Sequence, residues 1–178
     1  MPALTGLALV AAALLAIAGA QKALDPTMTA GALRALRLPS SPQLVRVGSV
    51  AELALGVAAV GLGGPLLWAL VALSYLAFTG FVTLALRQGT MIGSCGCFGR
   101  EETPPHPSHV ALNLGLAAVA AAAGALAPRP VIDELIERPG EGIAVAALAV
   151  LSLYLLHAAY VELPRTLEAA RLLRISGR

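Results

Sequence analysis

Five long apolar stretches, separated by short polar segments, limit what this chain can fold into more than any other feature. About twenty consecutive apolar residues cross the hydrocarbon core of a bilayer as an α-helix. The apolar run from Val45 to Leu86 is too long for one crossing, and the glycines and proline of Gly61–Pro65 mark a turn inside it. The sequence therefore predicts an all-α, polytopic transmembrane helical bundle, with a four-helix core plus one further helix. The predicted spans are residues 4–20, 47–60, 66–86, 110–126 and 143–161.

The composition indicates that lipid, rather than water, surrounds most of the protein. Charged residues make up 12% of the 178 residues, and hydrophobic residues make up 58%. A soluble domain usually carries about 25% charged residues, so we expect the lipid bilayer to be the main solvent. The net charge is +2 and the basic residues are scattered, which argues against a nucleic-acid partner. The length fits a single membrane domain, residues 1–178.

The first apolar stretch, Leu4 to Ala20, has the composition of a signal peptide but lacks one of its features. An Ala-x-Ala-like end lies near Ala20, where cleavage is conceivable. A signal peptide also carries a basic segment before its apolar core, and no basic residue precedes Leu4. We therefore expect an uncleaved helix that is closed by Gln21, Lys22 and Asp25.

Two polar segments suit the membrane surface. Between Asp25 and Arg46, apolar residues alternate with arginines, which is typical of a short amphipathic helix lying on the membrane; a solvated loop is the alternative. The tail from Glu162 to Arg178 has helical periodicity and four arginines. We expect the tail to rest on the membrane surface as well.

The only two cysteines of the chain, Cys95 and Cys97, lie in the glycine-rich segment of residues 87–107, between the third and fourth spans. A cysteine that serves packing alone normally lies among apolar side chains. Here each cysteine has a glycine neighbour, which leaves the sulfur atoms open to reagents and partners. We therefore favour a chemical role over two incidental loop cysteines.

In the redox interpretation, Cys95 and Cys97 interconvert between a dithiol and a disulfide. A disulfide needs Cα atoms roughly 4.4–6.8 Å apart, and Gly96 permits the backbone angles that close so short a ring. We expect some strain in this ring, which makes the bond easy to reduce. Arg100 would favour the reactive thiolate, and Gly99 leaves room for the thiol of a partner protein.

The residues leave two alternatives open. Cys95 and Cys97 could bind zinc or copper together with His106 and His109, although structural zinc sites usually separate their cysteines by two to four residues rather than one. The prolines on either side of His106 also restrict it. In the redox interpretation, His106 is instead a proton acceptor near the thiols, and His109 starts the next helix. The other alternative is a membrane scaffold with a purely structural disulfide.

The cysteine segment resembles a known family. The string Cys-Gly-Cys-Phe-Gly at residues 95–99, after a third span, resembles the MauE family of methylamine-utilisation membrane proteins. Gly19 and Lys22 after the first span, and Glu52 in the second, are similar to the related DoxX-like membrane proteins. The resemblance extends through about Leu126, and the string is its one specific motif.

The resemblance implies a helical bundle in a bacterial inner (plasma) membrane that works with a thioredoxin-fold partner. In methylamine users, the family supports maturation of a disulfide-rich dehydrogenase subunit. We therefore expect a thiol–disulfide oxidoreductase, or its membrane subunit, with Cys95 and Cys97 as the catalytic pair. The expected supporting residues are Gly96, Phe98, Gly99, Arg100, His106, His109, Asn113 and Glu52.

A single cysteine pair needs a second electron carrier, because no other cysteine can relay electrons. A quinone bound in an apolar cleft with a few polar groups would serve. Glu52 is one candidate for such a site, since a carboxylate in lipid must face protein or be protonated. Tyr75, His109 and Asn113 are others, and each is equally consistent with a packing or hydrogen-bonding role.

The distribution of charged residues predicts an orientation in the membrane that conflicts with a role in forming disulfides in exported proteins. Residues 21–46 carry four basic residues and one acidic residue, whereas residues 128–141 are net acidic. Because basic segments usually stay in the cytoplasm, the N-terminus is predicted outside and the cysteine segment inside. Forming disulfides in exported proteins would prefer the opposite face. Three alternatives stay open: the pair is reached from the outer face within the membrane; the chain departs from the charge rule or loses its first segment by cleavage; or the pair receives electrons from cytoplasmic thioredoxin.

Overall fold

The computed structural model describes residues 2–88, 105–126, 136–137 and 139–176, and the regular structure within these ranges is entirely α-helical. We number the longer helices in chain order. They are α1 (Pro2–Leu24), α2 (Thr27–Ala35), α3 (Pro42–Leu62), α4 (Pro65–Gln88), α5 (Pro107–Leu126) and α6 (Pro139–Ser176).

Within the described residues, five helical segments are long and apolar enough to cross a bilayer, so the prediction of an all-α bundle with about five spans is confirmed. Each predicted span lies inside one of these helices. The second spanning helix, α3, starts five residues before its predicted span, because Ser41 caps it: the Ser41 hydroxyl accepts a hydrogen bond from the Leu44 amide at 3.1 Å. Pro42 at the first helical position supports the same start.

The polar stretch after the first span contains a short helix, α2, so a helix with one apolar face describes it better than a loop. Ala32 and Leu36 are buried against Ala85 near the end of α4. Arg34 and Arg37 are exposed on the other side. Arg37 adopts a left-handed backbone conformation, with φ of 58°, where the helix has ended.

The long helices run antiparallel to their chain neighbours, which brings several helix ends together. Arg46 near the start of α3 donates to the Ala23 carbonyl at the end of α1, at 3.1 Å. The connection from α4 to α5 begins at Gln88 and ends at Pro107. We call this side of the bundle, where α1 and α4 end and α3 and α5 begin, the cysteine end. Cys95 and Cys97 belong to that connection and lie outside the described residues.

Helix α1 is central, with contacts to α3, α4, α5 and α6. It approaches α3 most closely, because glycines remove the side chains that would hold the backbones apart. A Cβ atom at Gly56 would lie 2.5 Å from the Ala12 carbonyl oxygen, and a Cβ atom at Gly19 would lie 2.6 Å from the Leu53 nitrogen. Close packing of this kind replaces the hydrophobic effect as the force between helices in lipid.

Replacing Gly56 by alanine should therefore loosen the contact between α1 and α3. Because the new methyl group would meet backbone atoms that cannot turn aside, we expect a loss of about 1–3 kcal/mol in the free energy of unfolding. Equilibrium unfolding in mixed detergent micelles, followed by circular dichroism, measures this change. Gly61→Ala in the same helix is the control, since a Cβ atom there meets nothing within 4 Å. Equal stability of both variants would contradict the packing described here.

Candidate functional site

The buried polar side chains of the described residues concentrate at the cysteine end. Only Thr5 lies at the opposite end, near the start of α1. Burying a polar group in an apolar bundle is costly unless the group finds a partner, and such residues in membrane spans commonly mark functional sites. The buried polar residues at the cysteine end are Lys22, Ser49, His109 and Asn113.

A buried ion pair joins α1 to α3. The ammonium group of Lys22 contacts the carboxylate of Glu52, and the two side chains are 6% and 21% exposed. The same ammonium lies 4.6 Å from the ring centre of Phe78 on α4, an arrangement in which the ring face attracts the cation. Glu52 therefore faces protein and has a partner of opposite charge.

Lys22 lies inside the bundle rather than at the end of the first span. Helix α1 ends at Leu24, directly before Asp25, and the Lys22 side chain is buried. The physical reason is the carboxylate of Glu52. Burying a charged lysine in the bundle is costly, and an ion pair with a carboxylate on the neighbouring helix lowers that cost.

A histidine on α5 contacts a backbone carbonyl on α6. Nε2 of His109 lies 3.0 Å from the carbonyl oxygen of Tyr160, and the two rings stack with an interplanar angle of 9°. In an α-helix that carbonyl would accept from the amide four residues on, but residue 164 is proline, which has no N–H. His109 therefore provides the hydrogen bond that Pro164 removes.

The tautomer of His109 follows from its partners. A carbonyl oxygen only accepts, so Nε2 carries the proton; Nδ1 accepts from the backbone amide of His106 at 3.3 Å. Both ring nitrogens are thus engaged, and a metal ion at His109 would have to displace one of these hydrogen bonds. This arrangement weakens the zinc or copper interpretation. Among the described residues, no group of three or more metal-ligating side chains occurs.

Asn113 lies one helical turn below His109 and is 2% exposed. Its side-chain oxygen accepts a hydrogen bond from the Tyr160 hydroxyl at 2.8 Å. Its Nδ2 amide has no hydrogen-bond partner among the described residues. Asn113 also lines a small cavity of about 20 Å³, which is enough space for one water molecule.

The cavity connects the two polar groups. Lys22 and Tyr75 line it from α1 and α4, and Asn113 and Tyr160 line it from α5 and α6. Tyr75 is satisfied on its own, because its hydroxyl donates to the Ala11 carbonyl at 2.6 Å. The Lys22–Glu52 pair and the His109–Tyr160–Asn113 cluster are therefore neighbours inside one bundle.

The structure brings four of the residues singled out from the sequence to one end of the bundle. His106, His109 and Asn113 lie together at the start of α5, and Glu52 faces the same interior through its contact with Lys22. The cysteine segment itself lies outside the described residues. This applies to Cys95, Gly96, Cys97, Phe98, Gly99 and Arg100.

Sequence reasoning missed two members of the site, Lys22 as an interior residue and Tyr160 altogether. A signal existed for each. Lys22 and Glu52 are opposite charges in or beside apolar stretches, where charges are usually paired. Tyr160 lies four residues before Pro164, which has no N–H to donate to the Tyr160 carbonyl, so that carbonyl is a candidate acceptor for a side chain on another helix.

Breaking the ion pair from one side should destabilise the bundle strongly. Lys22→Met leaves the Glu52 carboxylate without a partner, and we expect a loss of about 3–5 kcal/mol in the free energy of unfolding. The double variant Lys22→Met/Glu52→Leu removes both charges and should recover most of that loss. Detergent unfolding of the wild type, the single variant and the double variant forms the test. A double variant no more stable than the single variant would count against the pair.

The hydroxyl of Tyr160 should contribute measurably to stability. Tyr160→Phe leaves the buried oxygen of Asn113 without its donor, which we expect to cost about 1–3 kcal/mol in the same unfolding assay. Tyr154→Phe, on the same helix and at a side chain that is 69% exposed, should change stability by less than about 0.5 kcal/mol. Identical behaviour of the two variants would argue against the hydrogen bond.

Comparison with known proteins gives one match. A family model described as methylamine utilisation protein MauE matches residues 1–127, a range that contains α1 to α5 and the cysteine segment. None of the curated proteins and none of the solved structures matches the chain.

Proposed function

Because the chain belongs to the MauE family of methylamine utilisation proteins, we propose that it is a thiol–disulfide oxidoreductase or the membrane subunit of one. In this proposal Cys95 and Cys97 exchange disulfides with a thioredoxin-fold protein, in a bacterial plasma membrane. The family match confirms the MauE resemblance and associates this multi-pass membrane protein with methylamine utilisation. The similarity to DoxX-like proteins stays a prediction.

The proposal rests on where the only two cysteines of the chain are attached. They occur, one glycine apart, in the connection between Gln88 and Pro107. Both attachment points belong to the end of the bundle that holds Lys22, Glu52, His109 and the other buried polar groups. Polar and charged side chains in membrane spans commonly mark functional sites, which supports a chemical role for the segment attached at this end.

The exchange balances as follows in the direction of disulfide formation. The partner loses two S–H bonds and gains an S–S bond, while the S–S bond between Cys95 and Cys97 breaks and two S–H bonds form. To act again, the pair must lose two electrons and two protons. No further cysteine exists in the chain, so we propose a membrane-dissolved quinone as the acceptor, which leaves as quinol.

His106 is suited to handle a thiol proton. It is half-buried at the start of α5, and its Nδ1 lies 2.9 Å from the Ser108 hydroxyl. The described residues give its Nε2 no partner. The backbone amide of Ser108 donates to Nδ1 at 3.2 Å, so Nδ1 is an acceptor and Nε2 carries the ring proton, which it can donate to a thiolate. Arg100 has the charge to favour a thiolate at Cys95 or Cys97.

Serine at either cysteine should abolish the exchange. Protein purified into lipid nanodiscs is mixed with a reduced bacterial thioredoxin, and oxidation of thioredoxin is followed by alkylation of its thiols. We expect activity from the wild type and none from Cys95→Ser or Cys97→Ser, because a disulfide within the chain then cannot form. Ser94→Ala is the matched control, since it changes the neighbouring residue and keeps both thiols. Full activity in both cysteine variants would exclude the mechanism.

A further inference from the structure

A lateral groove of about 270 Å³ lies between α2, α3 and α4, at the cysteine end of the bundle. Val45 and Gly48 on α3 form one wall, and Phe78 and Phe81 on α4 form the other. The Lys22–Glu52 ion pair lies at its base, so the groove has apolar walls and a polar end.

The groove faces the surroundings of the bundle rather than its interior. Gly48 and Ala77, which line opposite walls, are both exposed. Exposed apolar side chains flank them on the same helices, including Val47 on α3 and Leu73 on α4. In a multi-pass membrane protein such side chains face lipid, so a lipid-soluble molecule can enter the groove from the bilayer.

The polar end of the groove can donate further hydrogen bonds. The ammonium of Lys22 has three donors, whereas its contacts with described side chains are the Glu52 carboxylate and the Phe78 ring. Lys22 also lines the small cavity that Asn113 lines, and Nδ2 of Asn113 has no hydrogen-bond partner among the described residues. Because the ion pair is neutral as a whole, it favours an uncharged ligand with oxygen acceptors over an anion such as a phosphate.

We propose that this lateral groove binds the quinone that takes electrons from Cys95 and Cys97, an inference that rests on the proposed function. The walls accept a flat ring between Gly48 on α3 and the aromatic side chains of Phe78 and Phe81 on α4, and a quinone oxygen accepts a hydrogen bond from Lys22. Ligand sites usually combine such apolar walls with a few polar groups. A quinone carries the two electrons and two protons that disulfide formation releases.

A matched pair of glycine variants tests the groove. A Cβ atom at Gly48 or at Gly80 meets nothing within 4 Å, so both positions tolerate a larger side chain, but only Gly48 lines the groove. Gly48→Phe fills the space that the ring would occupy. We expect it to weaken binding of decylubiquinone to the nanodisc protein by about tenfold or more, while Gly80→Phe binds like the wild type.

Photoaffinity labelling of the unmodified protein gives a second readout. A short-tailed azido-quinone should label residues 45–52 and 77–81, as located by mass spectrometry. Labelling at other sites, no saturable labelling, or equal affinity in Gly48→Phe would overturn the inference. If Gly48→Phe does not fold, the labelled positions decide alone.

The proposed quinone site and the proposed thiol–disulfide exchange can be rejected independently of each other. Exchange between the cysteine pair and thioredoxin is measured without added quinone. Exchange in the wild type combined with no quinone binding would reject the groove site and leave the oxidoreductase proposal standing. Groove labelling combined with no exchange would reject the oxidoreductase proposal and, with it, the electron transfer assigned to the bound quinone.

Discussion

The ion pair between Lys22 and Glu52 is the contact on which the polar interior of this protein depends. Neither charge is tolerable alone in an apolar bundle, so the two must meet, and they meet only if α1 and α3 approach closely. Gly19, one turn before Lys22, allows that approach: a Cβ atom there would lie 3.1 Å from the Cβ of Glu52. The same glycine therefore allows both the close packing of α1 against α3 and the pairing of the two charges.

The other buried polar groups extend from this pair towards the start of α5. Lys22 and Asn113 line a common cavity, Asn113 accepts from Tyr160, and His109 donates to the carbonyl of Tyr160. A lateral groove meets the same ion pair from the lipid side. The lateral groove and the attachment points of the cysteine segment thus lie at the same end of one bundle, as the proposed redox cycle requires.

The sequence predicts the spans well because apolar length is a property of each segment alone. The partners of Lys22, Asn113 and Tyr160 depend on which helices are neighbours and how each is rotated, and apolar periodicity does not specify either. Glu52 illustrates the difference: its need for protein surroundings follows from its charge, whereas its partner follows from the close contact between α1 and α3. The predicted span begins at residue 47, five residues after the start of α3, because capping by Ser41 adds a turn that is not itself apolar.

Thiol labelling in intact cells tests the central claim, that Cys95 and Cys97 form a pair that cycles between dithiol and disulfide. Permeant and impermeant maleimides are applied with and without prior mild reductant, and the labelled chain is quantified by its shift in mass. The account predicts that labelling of both cysteines rises after mild reduction, and the reagent that reacts identifies the face of the membrane. Labelling that is unchanged by the reductant, whether complete or absent, would contradict a cycling pair.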